Sequence, residues 1–279
     1  MSHYNDLRRE RQLNITRLVA ASSTALTMFC LPVQAATIDL FSTNQAQLVD
    51  SVVDGSGSSS SVGGGTDPTI LGGERDLFVE VLSISPFNPT GAASIQVLGG
   101  ALTFNTDSLT SGTGNVQWDG ADGSSTIDPI GLQVSGTGVD LTQGGAADAF
   151  FVSTIFSDNG FDFTVTAYTN SSTWTALTLN ALAVATPTDI PIPFSLFSVC
   201  DGSLDGVGGV VSIQCAGGST SSVDMTNVGA LEVDLDPLGL STSIDLTINS
   251  VTTVPLPAAL WLFGSGLLGM IGIARRKKA

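Results

Sequence analysis

The sequence predicts an all-β protein, a jelly-roll-like β-sandwich flanked by an N-terminal signal peptide and one C-terminal transmembrane helix. Three observations carry the fold class. Short runs alternate apolar and polar residues with period two, most cleanly where Phe161, Phe163, Val165 and Ala167 interleave with Asp162, Thr164, Thr166 and Tyr168. Gly, Asn and Asp, which tolerate the backbone of tight turns, separate these runs at short intervals. Between residues 36 and 254 no stretch repeats its apolar residues at amphipathic-helix spacing. A body of roughly 220 residues is large enough for one such sandwich with a real core.

Taken in order, Thr37–Phe41 reads as the first strand. Residues 54–66, rich in Gly and Ser with little to bury, read as a flexible loop. Strands are then predicted at Asp76–Leu82, Ser94–Val97, Ala101–Asn105, Asn115–Trp118 and Gly138–Leu141. Phe150–Val152 is apolar without alternation, as a strand covered on both faces would be. The series continues with Phe161–Tyr168, Trp174–Leu179, Phe194–Val199, Val210–Ile213, Gly229–Val233 and Ser243–Ile248. Between them Ala185–Pro193, with three prolines, is the strongest internal break and reads as a loop crossing between sheets.

Both ends carry targeting patterns. Residues 1–35 place Arg8, Arg9, Arg11 and Arg17 before an apolar run from Leu18 to Leu31, then small residues. This is a secretory signal peptide, with cleavage expected between Ala35 and Ala36. The apolar run begins too far from Arg8-Arg9 for twin-arginine export. Phe29 before Cys30 does not suit a lipidation site, which needs a small residue there.

At the other end, Pro255-Leu256-Pro257 precedes an uncharged apolar run from Ala258 to Ala274, and Arg275, Arg276, Lys277 and Lys278 follow. Seventeen helical residues span about 26 Å, enough for a bilayer core. The cations belong on the cytoplasmic side, so the body faces outward. The order of parts over 254–279 resembles the PEP-CTERM sorting signal, with Pro-Leu-Pro where the name-giving motif has Pro-Glu-Pro. The resemblance implies recognition by an exosortase and the secretion machinery. It also implies an inner-membrane intermediate, and then a place at the cell surface or in the extracellular matrix of a Gram-negative bacterium, with biofilm exopolysaccharide as an associated partner. The alternative is a plain membrane anchor with no processing. The body, 36–253, matches no catalytic family.

Composition prunes the chemistry of the body. Of 25 acids, 23 lie between residues 36 and 254, and of nine Lys and Arg only Arg75 does, so this region carries −22. Such a body repels nucleic acid and attracts divalent cations. The single histidine, His3, lies in the leader, which removes Ser-His-Asp, Cys-His and His-ligated metal chemistry from the body. It has no lysine for a Schiff base and no phosphate loop. Carboxylates remain, and a glycosidase would need two of them.

Cys200 and Cys215 are the body's two cysteines. In an exported protein they are predicted to pair, a metal or redox pair being disfavoured by the missing histidines and the long spacing. Asp119 and Asp122, and likewise Asp201 and Asp205, sit on Gly-containing turns that offer calcium both carboxylates and carbonyls. Ordinary Asp-Gly turns without metal are the competing reading. The expected function is therefore non-enzymatic, with a glycan-binding or glycan-active sandwich as the alternative. A binding module predicts two of Trp118, Tyr168 and Trp174 on one face. An enzyme predicts two carboxylates facing each other across a cleft.

Overall fold

The computed structural model describes residues 35–184, 186, 188–216 and 221–255. The predicted signal peptide up to residue 34, the transmembrane helix over 258–274 and the basic tail lie outside the described residues. Among those described, no helix is long and apolar enough to cross a membrane. The chain divides into Met1–Gln34 and Ala35–Ala279, and the strands belong to the second unit.

Among the described residues fourteen strands follow one another: β1 (Thr37–Asp39), β2 (Gln45–Asp50), β3 (Ser58–Val62), β4 (Arg75–Ile84), β5 (Ala93–Leu98), β6 (Ala101–Thr106), β7 (Thr110–Trp118), β8 (Ala147–Ser157), β9 (Phe161–Asn170), β10 (Thr173–Ala181), β11 (Thr188–Pro193), β12 (Val210–Cys215), β13 (Ala230–Leu235) and β14 (Asp245–Pro255). They form two seven-stranded antiparallel sheets. The first runs β11-β8-β14-β6-β5-β2, with β1 also paired to β14; the second runs β12-β10-β9-β13-β7-β4-β3. The two sheets share one apolar core, as the period-two pattern requires. Leu77, Val79, Val116, Leu177 and Leu231 come from the second sheet, and Ile95, Phe104, Phe150 and Leu246 from the first.

Five segments depart from the expectation. Gln45–Asp50, where no strand is expected, forms β2 against β5. Within the loop expected over 54–66, Ser58–Val62 forms edge strand β3 on β4. Backbone pairing, which needs no apolar side chain, holds it, and Gln45 Nε2 donates to the Ser60 carbonyl (2.8 Å) and hydroxyl (2.9 Å). The break at 185–193 does cross between sheets, since β10 lies in one and β11 in the other. It also contains a strand, because Ile190 and Ile192 face inward while the donor-less Pro191 and Pro193 are harmless on a sheet edge. Phe194–Val199 is not a strand; Phe194–Ser198 is a 3-10 turn. Its three-residue period sets Phe194 and Phe197 against Phe150, at 4.9 and 5.6 Å between ring centroids. Gly138–Leu141 makes only one bridge, Val139 with Val228.

The one base of the body is buried. Arg75 points inward from β4 and is 0% exposed. Its guanidinium donates to both oxygens of Asp39 (3.1 and 2.9 Å), to Gln45 Oε1 (2.9 Å) and to the Thr43 carbonyl (2.8 Å). Trp118, 2% exposed, donates its indole N–H to Asp39 Oδ2 at 3.0 Å. Trp118 is therefore a core residue that closes a buried ion pair, and it is removed from any sugar-stacking surface.

Cys200 and Cys215 are joined in a disulfide, with Cα atoms 5.7 Å apart. It ties the segment after the 3-10 turn to the end of β12. β14 runs on to Pro255, overlapping the start of the tail. Pro255 is the last residue of β14 and stands opposite Ala147 of β8.

Candidate functional site

The outer face of the second sheet gathers a row of polar and acidic side chains. Because side chains alternate, the residues of β4, β7, β9, β10 and β13 that do not enter the core all emerge here. Register sets Gln214, Ala176, Thr166, Glu232, Gln117, Asp76 and Ser61 side by side across seven strands. The neighbouring row is Ser212, Thr178, Thr164, Asp234, Asn115, Phe78 and Ser59.

At the centre, amides and a phenol hold two carboxylates. Asn115 Nδ2 donates to Glu232 Oε1 (2.8 Å) and Asp234 Oδ1 (2.7 Å). Gln117 Nε2 donates to the same Glu232 oxygen (2.9 Å), and the Tyr168 hydroxyl donates to Glu232 Oε2 (3.0 Å). Burial, reinforced by the adjacent Glu232, pushes Asp234 up to about 6 against the opposing Asn115 hydrogen bond. Burial and the Glu232 charge likewise raise the Tyr168 phenol well above its ordinary value. Trp174 stands beside Tyr168, ring centroids 6.5 Å apart, and both rings are half-buried. Glu232 and Asp234 are next-but-one neighbours on a single strand, bridged by Asn115. They are not opposed across a cleft.

At one margin lies a second carboxylate group. One ligand oxygen each from Glu74, Asp76 and Asp122 lies within 4.8 Å of the others. Glu74 and Asp76 flank Arg75 in sequence, yet alternation sends them outward and Arg75 inward, so the cation does not neutralise them. Asp76 is 1% exposed and neither of its oxygens accepts a hydrogen bond of good geometry, although the Ser61 hydroxyl lies close enough to temper its shift. Burial pushes Asp76 up to about 7, and Asp119, Glu74 and Asp122 add to the rise. Asp119, 0% exposed, accepts the Asp128 N–H on Oδ2 (2.6 Å), while its Oδ1 has no partner. Burial pushes it up to about 6, opposed by that hydrogen bond.

The loop bearing Asp122 is closed by two glycines. Gly120 has a φ of +99°, and a Cβ on Gly131 would stand 1.6 Å from the Asp119 carbonyl oxygen. The loop is pinned to Glu74, whose Oε1 accepts the Gly123 N–H at 2.6 Å.

The turn-borne aspartates singled out from the sequence thus divide. Asp122 joins a carboxylate group, and Asp119 lies beside it. Asp201 and Asp205 are not gathered with a third potential ligand among the described residues. Their oxygens close the turn locally, Asp201 Oδ1 on the Ser203 N–H (3.0 Å) and Asp205 Oδ1 on the Ile213 N–H (2.9 Å). Glu74 and Asp76 escaped the sequence reading as ligands. Asp76 opens the strand expected at Asp76–Leu82, but nothing in the sequence brought the 119–123 turn over it.

The fold and this face define an all-β sandwich with a polar, acidic sheet surface. Residues 253–278 match the model of the PEP-CTERM protein-sorting motif. No curated protein matches the chain. Similar solved structures include the family 11 carbohydrate-binding module of cellulosomal cellulase Lic26A-Cel5E of Clostridium thermocellum, at 10% identity and a TM-score of 0.38 over 81% of this chain and 97% of that one. A family 11 module from Clostridium thermocellum in complex with a beta-1,3-1,4-mixed-linked tetrasaccharide is 10% identical, with a TM-score of 0.34 over 75% and 95%. PfGH50B is 9% identical, with a TM-score of 0.37 over 64% of this chain, which spans only 22% of PfGH50B. Likeness at this level carries no inference about ligand or activity.

Proposed function

We propose that this chain is an exported, non-enzymatic surface or matrix protein, a jelly-roll-like sandwich processed by an exosortase-type system and associated with exopolysaccharide. The sorting motif at 253–278, joined without a linker to β14, carries the reading. Export would pass through an inner-membrane intermediate held by the apolar run 258–274, with Arg275–Lys278 on the cytoplasmic side. Cleavage near Pro257 would leave β14 whole and the body without an anchor. Mass spectrometry of the mature C-terminus, in cells with and without the exosortase, tests this. The expected result is a shortened end only where the exosortase is present. Full recovery of the Arg275–Ala279 end from both strains would overturn it.

One observation favours a more specific role, glycan binding. Tyr168 and Trp174 present half-buried rings on the same face as the partly buried Glu232 and Asp234, which offers stacking beside hydrogen-bonding groups. The acidity of the face directs it to neutral rather than anionic polysaccharide. Retardation of the protein in gels cast with neutral glucans should weaken when Trp174 is replaced by Ala. Equal mobility of both forms in every glucan gel would count against glycan binding at this face.

A further inference from the structure

We propose that Glu74, Asp76 and Asp122 form a calcium site at the margin of the outer sheet face, with Asp119 supplying a fourth negative charge beside it. The inference is independent of whether the face binds a glycan. Its first support is geometric. Two oxygens on opposite sides of a calcium, each about 2.4 Å from it, stand about 4.8 Å apart. Oxygens of these three residues lie within 4.8 Å of one another, as ligands of one ion do.

The second support is the state of Asp76. A carboxylate that is 1% exposed and accepts no hydrogen bond of good geometry on either oxygen is a costly thing to leave in a fold. The nearby groups make it worse, because Glu74, Asp119 and Asp122 are all acids and Arg75 is turned away into the core. A divalent cation resolves both problems at once. It supplies the missing partner and neutralises the like charges.

The donor set selects the ion. All the side-chain ligands are oxygens, with no imidazole or thiolate for zinc or copper. Asp122 is exposed and sits on a turn, so solvent can complete a seven- or eight-fold shell. Magnesium demands a tighter octahedron and keeps its own waters, so calcium fits an arrangement of one strand, one strand entry and one loop better. The ion would then tie the 119–131 loop to the start of β4, two parts of the chain otherwise joined through the Glu74–Gly123 hydrogen bond.

The full-length chain, purified in detergent and stripped with a chelator, should bind calcium by titration calorimetry with a dissociation constant of about a millimolar or tighter. Its melting temperature should rise with calcium and much less with magnesium. Asp76→Asn should weaken binding by about tenfold or more. In chelator this variant should melt above the unsubstituted chain, because it relieves the like charges; in saturating calcium the order should reverse. Asp122→Asn, altering an exposed side chain that does not threaten folding, should weaken binding while leaving the chelator-treated melting temperature nearly unchanged. No calcium binding at about ten millimolar, or the same affinity in both variants as in the parent, would overturn the site.

Discussion

Ala36 and Thr253 hold each other by two hydrogen bonds. The Thr253 N–H donates to the Ala36 carbonyl at 2.8 Å, and the Ala36 N–H donates to Thr253 Oγ1 at 3.0 Å. Gln143 Nε2 donates to the same hydroxyl at 3.0 Å. The first residue expected after the leader cut therefore lies against the first residue of the matched sorting motif.

Replacing Thr253 with Val keeps the shape and removes an acceptor shared by two donors at a site that is 0% exposed. The variant should lose about 1–3 kcal/mol of stability, which urea unfolding would measure. No change in the unfolding midpoint would mean that the two ends are not clamped through this hydroxyl.

Arg75→Met should be strongly destabilising. It strips the partner from a fully buried Asp39, and losses on breaking such pairs run to about 3–5 kcal/mol. Combining it with Asp39→Asn should recover a large part of that loss, since no uncompensated charge remains. A double variant as unstable as Arg75→Met alone would contradict the ion-pair account.

The disulfide closes a loop whose cysteines are 15 residues apart in sequence. Non-reducing peptide mapping should find Cys200 linked to Cys215. The Cys200→Ser, Cys215→Ser double variant should be less stable by about 3 kcal/mol. Two free thiols in the exported protein would refute the pairing.

Asp234 gives a pH dependence with a definite sign. Its folded-state value is raised from 3.8 to about 6, so within that window the folded chain keeps a proton that the unfolded chain has released. Stability must therefore fall as pH rises through the window, and the loss is complete above it. Asp234→Asn can still accept from Asn115 and should flatten this contribution. The difference between the two unfolding curves should grow with pH to on the order of 2 kcal/mol. Parallel curves for parent and variant across the window would exclude a raised Asp234.

The alternation of β9 and β4 was legible in the sequence because each has one wet and one dry face, and periodicity reports that directly. β3 was not legible, because its stability comes from backbone pairing with β4 and its serines carry no pattern. Phe194 and Phe197 were misplaced because apolar residues three apart occur in both short strands and 3-10 turns, and only the position of Phe150 decides. At the candidate site, Asp119 and Asp122 were visible through their Gly turn. Their companions Glu74 and Asp76 depend on a contact between β4 and a loop more than forty residues later, which no local pattern encodes. Arg75 illustrates the same limit. No local pattern marks the body's single base as buried, and only the location of Asp39 explains it.

β14 lies between β8 and β6, well inside the first sheet, and the sorting motif starts within it. That placement bears on the proposed export. Without β14, β8 and β6 lack the strand that lies between them, and β1 has no strand to pair with. The sheet can close only when residues 245–255 arrive, and the sorting tail arrives immediately behind them. The strand that completes the first sheet and the start of the sorting motif therefore share residues 253–255, so a chain truncated before β14 would lack both a finished sheet and the motif on which the proposed processing depends.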